Sequence, residues 1–413
     1  MDSQTILYLI VGVLAFDFIL ERVLETLNRS KRERNLPKKL QGIYDEEKYK
    51  KSQEYAEAKD KLGLFSSILG FVATLTFLLL GGFGWLDGIV SSFTENLILS
   101  TLIFFGLLSV ASDLIGIPFE LYSTFVIEEK FGFNKMSVGT YLGDKLKGAI
   151  LGAIIGGLLL TLFVWFYETF REMFWLYAWA IFIGFSLLMT MFYTNIIVPI
   201  FNKLTPLEDG ELRSAIEDYA KRVSFPLKNI FVVDGSKRST KANAYFSGLG
   251  KTKSIVLYDT LIEKHEIPEL VSVLAHEVGH YKKKHTLQGF FLSGLIMFIT
   301  LFVLHLTIDT PELSAALGAE THKLYLGLVA FSILYSPLSI VTGLMMNIFS
   351  RKNEFEADAY AAQTSSSMAL EEALKKLSVD TLSNLTPHPA YVFFHYSHPP
   401  LLQRVEALRK QVS

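Results

Sequence analysis

The chain has 413 residues, half of them hydrophobic, with 33 Phe, 18 Tyr, a mean hydropathy of +0.34 and a net charge of −2. Charged residues make up 19 %, below the quarter or so of a soluble protein. Membrane embedding is therefore expected, and the near-neutral charge gives no case for nucleic acid. Cysteine is absent, which excludes disulfides and thiolate metal sites and leaves histidines and carboxylates as the strong ligands.

In chain order, the N-terminal MDSQTILYLIVGVLAFDFIL has no basic n-region and no small-residue cleavage site, so it reads as a retained membrane helix. Seven apolar runs are long enough to cross ~30 Å of hydrocarbon: Thr5–Leu27, Leu62–Leu86, Leu97–Ile117, Gly148–Tyr167, Met173–Val198, Leu287–Ile308 and Leu324–Phe349. The loops between them alternate in charge. Arg29–Lys61 carries eleven Lys or Arg, whereas Asp87–Glu95 carries none. Basic loops mark the cytosolic side, which predicts an outside N-terminus and a cytosolic C-terminus. Asp17 and Asp113 fall within predicted spans, where they either face a water-filled chamber or pair between helices. Four segments result: spans one to five over 1–198, a soluble piece over 199–286, spans six and seven over 287–349, and a tail over 350–413.

The first soluble piece predicts a helix at Gly210–Val223 and strands at Asn229–Val233 and Lys253–Tyr258, with Tyr245–Leu249 between the strands. It closes on Val271–Tyr281, an apolar-periodic helix that contains His276-Glu277-Val278-Gly279-His280. Residues four apart share a helix face, so His276 and His280 can offer two imidazole nitrogens to one metal ion. Glu277, beside the first ligand, can take a proton from water. The tail lies two crossings away and hence on the same side. It predicts helices at Asn353–Gln363, Met368–Leu377 and Pro400–Val412. A catalytic zinc has three protein ligands and an open position. Glu354 and Asp358 share one helix face while Glu356 points elsewhere. Glu354 would then bind zinc and Asp358 would accept the free ring N–H of a ligating histidine, fixing its tautomer; the alternative is that all three acids are solvated helix charges. Arg404 either pairs with an acid near the site or faces solvent. His265, His305 and His322 read as solvated or interfacial, and His285, after Lys282–Lys284, reads as lying near lipid headgroups. His388, His395 and His398 share one loop, and spacing alone does not choose among them.

These motifs resemble the type I CAAX prenyl endopeptidases, integral membrane zinc proteases of the gluzincin kind. The resemblance runs through Tyr122–Asn134 (YSTFVIEEKFGFN), Ser236–Ser239 leading to Asn243-Ala244-Tyr245-Phe246, the LAHEVGH segment, Asn353–Ala361 and His395–Leu401 (HYSHPPL). It implies a mainly α fold in which seven helices enclose a chamber, with a cytosolic zincin-type unit carrying a small β element. By that resemblance one Zn2+ is held by His276, His280 and Glu354, Glu277 is the catalytic base, and Asp358 matches an acid sometimes described as a proton donor. Orientation of a ligand is the role favoured here. Asn243 and Ala244 match a segment that pairs with substrate backbone, and His398 matches a histidine that contacts substrate or stabilises the oxyanion. The implied partners are membrane lipid and a peptide or lipidated peptide, cut after a prenylated cysteine or at other membrane-proximal sites. Chain length and the lack of cysteine favour a bacterial inner membrane; a eukaryotic host would place the protein in the endoplasmic reticulum. Two other classes make distinct demands. A zinc-regulated transporter would show paired broken helices in related halves, and no such symmetry appears. A zinc-binding chaperone would not need Glu277, which is intact.

Overall fold

Backbone polar groups inside hydrocarbon must be paired within their own segment, and the apolar runs accordingly form helices. A computed structural model describes residues 1–33, 35–248 and 253–411. The N-terminal half contains α1 (Ser3–Ser30), α2 (Glu46–Leu79), α3 (Gly82–Phe93), α4 (Leu97–Tyr122), α5 (Val138–Thr169), α6 (Phe174–Phe192) and α7 (Val198–Phe201). Among the described residues, five stretches are long and apolar enough to cross a membrane: Glu46–Leu79, Leu97–Glu128, Val138–Thr169, Phe174–Phe201 and His285–Thr307. The pair Leu324–Leu334 and Ser336–Thr364, bent by 54°, makes a sixth.

Three of the departures from the predicted span ends have a local cause in the backbone. The second span stops at Leu79, because Gly81 adopts a left-handed φ of +70° and a Cβ on Gly82 would sit 2.3 Å from the Phe77 ring. Hydropathy is blind to such a turn, which only glycine makes without strain. The third continues past Pro118 into a π-helical turn, Ser123–Glu128. The seventh breaks at Tyr335, ahead of Pro337 at the start of the next helix, where proline's missing N–H is no loss.

The two ends of the helical bundle are built differently. At one end, Ile6 and Ile10 of α1, Phe83 and Leu86 of α3, and Leu313 and Leu317 around α12 (Pro311–Ala316) form one buried cluster. Helix α1 runs from there to the opposite end, where the Asn28 side chain accepts the backbone N–H of His388 at 3.1 Å. The soluble unit sits at that second end. It comprises β1 (Leu204–Pro206), α8 (Glu211–Arg222), β2 (Leu227–Val233), β3 (Ala244–Ser247), β4 (Lys253–Tyr258), α9 (Asp259–Lys264) and α10 (Ile267–Lys282). After α11 (His285–Thr307) and α13 (Leu324–Leu334) come α14 (Ser336–Thr364), α15 (Ser367–Asp380), α16 (Pro389–His395) and α17 (Leu401–Lys410). The sheet order is β1-β2-β4-β3, with β2 and β4 parallel and the outer pairs antiparallel. Ile216, Ile230, Ile255, Leu270, Leu274 and Val278 join α8, the sheet and α10 into one core. Leu249, at the end of the predicted Tyr245–Leu249 segment, and Val412 lie outside the described residues.

Candidate metal centre

Helix α10 begins with a reciprocal cap between Glu266 and Glu269 and carries His276, Glu277 and His280 on its second half. It packs tightly against α14. A Cβ on Gly279 would lie 2.9 Å from the Ala357 Cα, so the glycine within the H-E-x-G-H segment lets the two helices approach. The predicted helix Asn353–Gln363 is not separate; it is the far end of α14, which rises unbroken from Ser336. Glu354 and Asp358 are thus fixed by a long rigid helix.

Three donor atoms converge between these helices. His276 Nε2 lies 3.1 Å from His280 Nε2 and 3.4 Å from Glu354 Oε2, and His280 Nε2 lies 3.3 Å from Glu354 Oε1. Donors on a tetrahedral zinc with 2.0–2.1 Å bonds stand about 3.3 Å apart. His276 Nδ1 lies 2.8 Å from Asp358 Oδ1, so Nδ1–H donates there and the Nε2 lone pair faces the cluster. Glu354 Oε2 is buried and receives no hydrogen bond. A buried carboxylate oxygen that no described group hydrogen-bonds, with Arg404 Nη1 no nearer than 3.4 Å and an imidazole lone pair beside it, accommodates a further cation. The residues therefore fit a zinc ion.

Asp358 is 1 % exposed and accepts both Arg404 Nη2–H at 2.6 Å and Arg404 Nε–H at 2.8 Å. Arg404 Nη1 also lies 3.4 Å from Glu354 Oε2. The structure thus places Arg404 in the pairing role. Burial alone would lower the His276 pKa, but its bonds to Asp358 and Glu354 outweigh that and hold it at about 9. A proton and a metal ion would compete for its Nε2. Burial also raises the pKa of Glu277, against the opposing pull of His276 and His280.

A cleft of about 170 Å³ opens on this cluster, lined by Asn243, Ala244, His276, Glu277, Glu354 and His398, among others. Every predicted site residue except His280 borders it or, like Asp358, stands directly behind it. His398 Nε2 lies 3.3 Å from Glu354 Oε1, and its Nδ1 lies 3.0 Å from Ser397 Oγ. The loop holding it is tied to α14: Asn347 donates to the Phe394 carbonyl at 2.6 Å, and Arg351 to the carbonyls of Val392 and Tyr396. His388 and His395 point elsewhere, His388 to the backbone N–H of Ala390 and His395 to Glu21.

At the cleft's edge, β3 pairs among the described residues only with β4. The Asn243 carbonyl accepts Tyr258 N–H at 3.1 Å. Alternation along an antiparallel ladder then turns the backbone groups of Ala244 and Phe246 to the free side. The Ala244 N–H is meanwhile capped by the Asn243 side chain at 2.9 Å.

Several residues stand where their sequence context does not place them. His285, expected near headgroups, is 5 % exposed and lies against His280 and Glu356. His265, expected to be solvated, is also buried, with Nδ1 3.1 Å from the Leu261 carbonyl. Asp17 accepts a bond from Ser336 and borders a cavity of about 320 Å³ with Glu21 and His395. Asp113 pairs with Lys145 at 3.3 Å. Ser397 and Gly279 escape sequence reading, although a Ser beside the loop histidine and a Gly inside the helical motif are visible signals.

Comparison with known proteins finds likeness over nearly the whole chain. Residues 26–203 match the family described as CAAX prenyl protease N-terminal, five membrane helices, and residues 206–412 match peptidase family M48. A CAAX prenyl protease 1 homolog of Arabidopsis thaliana is 38 % identical over 90 % of both chains. CAAX prenyl protease 1 of Saccharomyces cerevisiae is 36 % identical, covering 91 % of this chain and 89 % of its own. The crystal structure of S. mikatae Ste24p superposes with a TM-score of 0.91 at 34 % identity, over 98 % of this chain and 99 % of that one.

Proposed function

The chain belongs to peptidase family M48, in the branch with the CAAX prenyl protease N-terminal domain, and is a membrane metalloprotease; from that premise we propose that it removes a short C-terminal peptide from substrates carrying a prenylated cysteine. The observation that carries this reading is the convergence of His276, His280 and Glu354 beside Glu277 in a cleft edged by the outer strand β3. Zinc held by those three side chains would supply an activated water and a polarised carbonyl at neutral pH.

The residues divide the remaining work. Glu277, with its raised pKa, takes the proton from the attacking water and returns it to the leaving amine. His398 donates from Nε2 to the oxygen that becomes negative as the carbonyl is attacked, with Ser397 at its Nδ1. Asp358, itself clamped by Arg404, holds His276 with Nε2 free for the metal. Ala244 and Phe246 offer outward backbone groups to an extended peptide, adding it to the sheet as a further strand.

An apolar groove supports the lipidated substrate. It encloses about 600 Å³ between α6 and α11, is walled by Phe182, Leu187, Phe290, Phe291 and Met297, and reaches His280. Because the isoprenoid would sit on the residue before the scissile bond, it must lie within about one residue's reach, ~3.5 Å of chain, from the metal. A groove bordered by a metal ligand meets that condition. Helix α1, which runs between the two ends of the bundle, makes a seventh crossing in this reading, and the basic Arg29–Lys61 segment sets the catalytic end in the cytosol. The native chain has no cysteine, so single cysteines at Ser30, Ser350 and Ser91 report sidedness without background. Only the last should be labelled by an impermeant thiol reagent in intact cells, and labelling of the first two alone would invert the orientation.

The decisive assay compares a farnesylated CAAX peptide with the same peptide unmodified, each with and without a chelator. The reading expects chelator-sensitive cleavage with a strong preference for the farnesylated form. Equal kcat/KM for the two peptides would leave a membrane-proximal endopeptidase without prenyl recognition.

A further inference from the structure

Both metal-facing imidazoles are supported from behind, but only one support is carried by the motifs that mark the site. Helix α10 ends at Lys282, and the chain turns through Lys284 in a left-handed conformation, φ +61°. A non-glycine residue there is strained. The turn starts α11 at His285 and swings that side chain back beneath His280, where it is 5 % exposed. His285 Nδ1 lies 3.0 Å from His280 Nδ1, and His285 Nε2 lies 3.2 Å from Glu356 Oε2. Lys352 adds a cation 3.7 Å from the other oxygen of Glu356.

We propose that His285, held by Glu356, is a positioning residue that fixes the tautomer and ring orientation of His280; this rests on reading His276, His280 and Glu354 as zinc ligands. With His285 neutral, as the proposal requires, the protons allow one arrangement. Glu356 accepts from His285 Nε2–H, which leaves a lone pair on His285 Nδ1. That lone pair can only accept, so His280 must carry its proton on Nδ1. His280 Nε2 is then a lone pair, and it is the atom that faces His276 and Glu354. A fourth-ligand role is excluded by placement, since His285 lies on the far side of the His280 ring from Nε2. The Glu356–His285–His280 chain thus does for the second imidazole what Arg404–Asp358–His276 does for the first.

The test measures zinc affinity of full-length protein in detergent by competition with a chelator, together with the Tm of the metal-stripped protein. His285→Ala should weaken zinc binding by about 10–100-fold while leaving the metal-stripped Tm unchanged. His285→Gln, whose amide can accept from His280 and donate to Glu356, should recover most of that loss. Glu356→Ala, on a side chain 40 % exposed and no threat to folding, should weaken binding by a smaller factor. Wild-type affinity in His285→Ala would overturn the proposal. So would equal losses in the Ala and Gln variants, or a metal-stripped Tm that falls in step with affinity, because the side chain would then be packing. If wild type and His280→Ala bind zinc equally well, the ligand reading itself fails and takes this inference with it.

Discussion

The wall of the cleft and its rim are made of the same residue types but live in different surroundings. In the wall, His276, Glu354, Asp358 and Arg404 are 7, 4, 1 and 9 % exposed, and each polar contact there answers another. On the rim, the His398 side chain is 64 % exposed, and among the described residues the free side of β3 meets the Asn243 side chain alone. Holding a metal ion requires donors that cannot rearrange, which burial and charge pairing provide. Admitting a peptide requires groups that water can still reach. The wall should therefore report on metal and stability when altered, and the rim on substrate binding and turnover.

Glu277 stands at the boundary, and its replacement gives the largest expected effect. Glu277→Gln keeps size and hydrogen bonding but removes the base. Turnover should fall by about 10²–10⁴-fold, while metal analysis still finds one zinc per chain. Normal turnover in a zinc-loaded variant would leave the proposed chemistry without its proton acceptor.

The wall is tested by breaking its buried ion pair. Asp358→Ala takes the two-point partner from Arg404 and leaves it the longer 3.4 Å contact to Glu354, a loss of up to roughly 3–5 kcal/mol for an interior pair. It also frees the His276 tautomer. Thermal unfolding should move sharply downward and zinc should be retained less tightly. A variant with unchanged Tm would show that the wall is not held by this pair, and the contrast with the rim would collapse.

Much of the wall is legible in the amino-acid sequence, because its grammar is local. H-E-x-x-H and Glu354 with Asp358 rest on helical spacing and on coordination chemistry, neither of which needs to know the rest of the chain. His285 is hidden for the converse reason. Three lysines before it suggest headgroups, while its real position depends on a strained turn at Lys284 and on α14 passing nearby. The helix break after Leu79 is concealed in the same way, since hydropathy does not register the positive φ of Gly81. The edge strand is half legible. Family resemblance marks the Asn243–Ser247 segment, but which backbone groups face outward follows only from the pairing of Asn243 with Tyr258.

On the rim, His398→Ala should lower kcat by about 10²–10³-fold, as when an oxyanion donor is lost, with zinc content and Tm unchanged. A change confined to KM would make His398 a substrate contact and nothing more.

The smallest expected effect belongs to the strand edge and separates backbone from side chain. Ala244→Pro deletes one outward N–H and leaves the ladder to β4 intact, since the pairing runs through Asn243 and the residues that alternate with it. Proline is tolerated on an edge strand when its nitrogen faces away from the sheet. One peptide hydrogen bond is worth about 0.5–1.5 kcal/mol net, so KM should rise roughly two- to tenfold with kcat unchanged. Asn243→Ala is the counterpart. Its side chain now occupies the Ala244 N–H, so removing it uncovers the donor, and its effect on KM should be smaller than that of the proline. A substrate contact made by the Asn243 side chain requires the opposite ranking. Steady-state kinetics on one peptide decides between them: a larger KM increase for Asn243→Ala than for Ala244→Pro would mean that the side chain, not the exposed strand, holds the substrate.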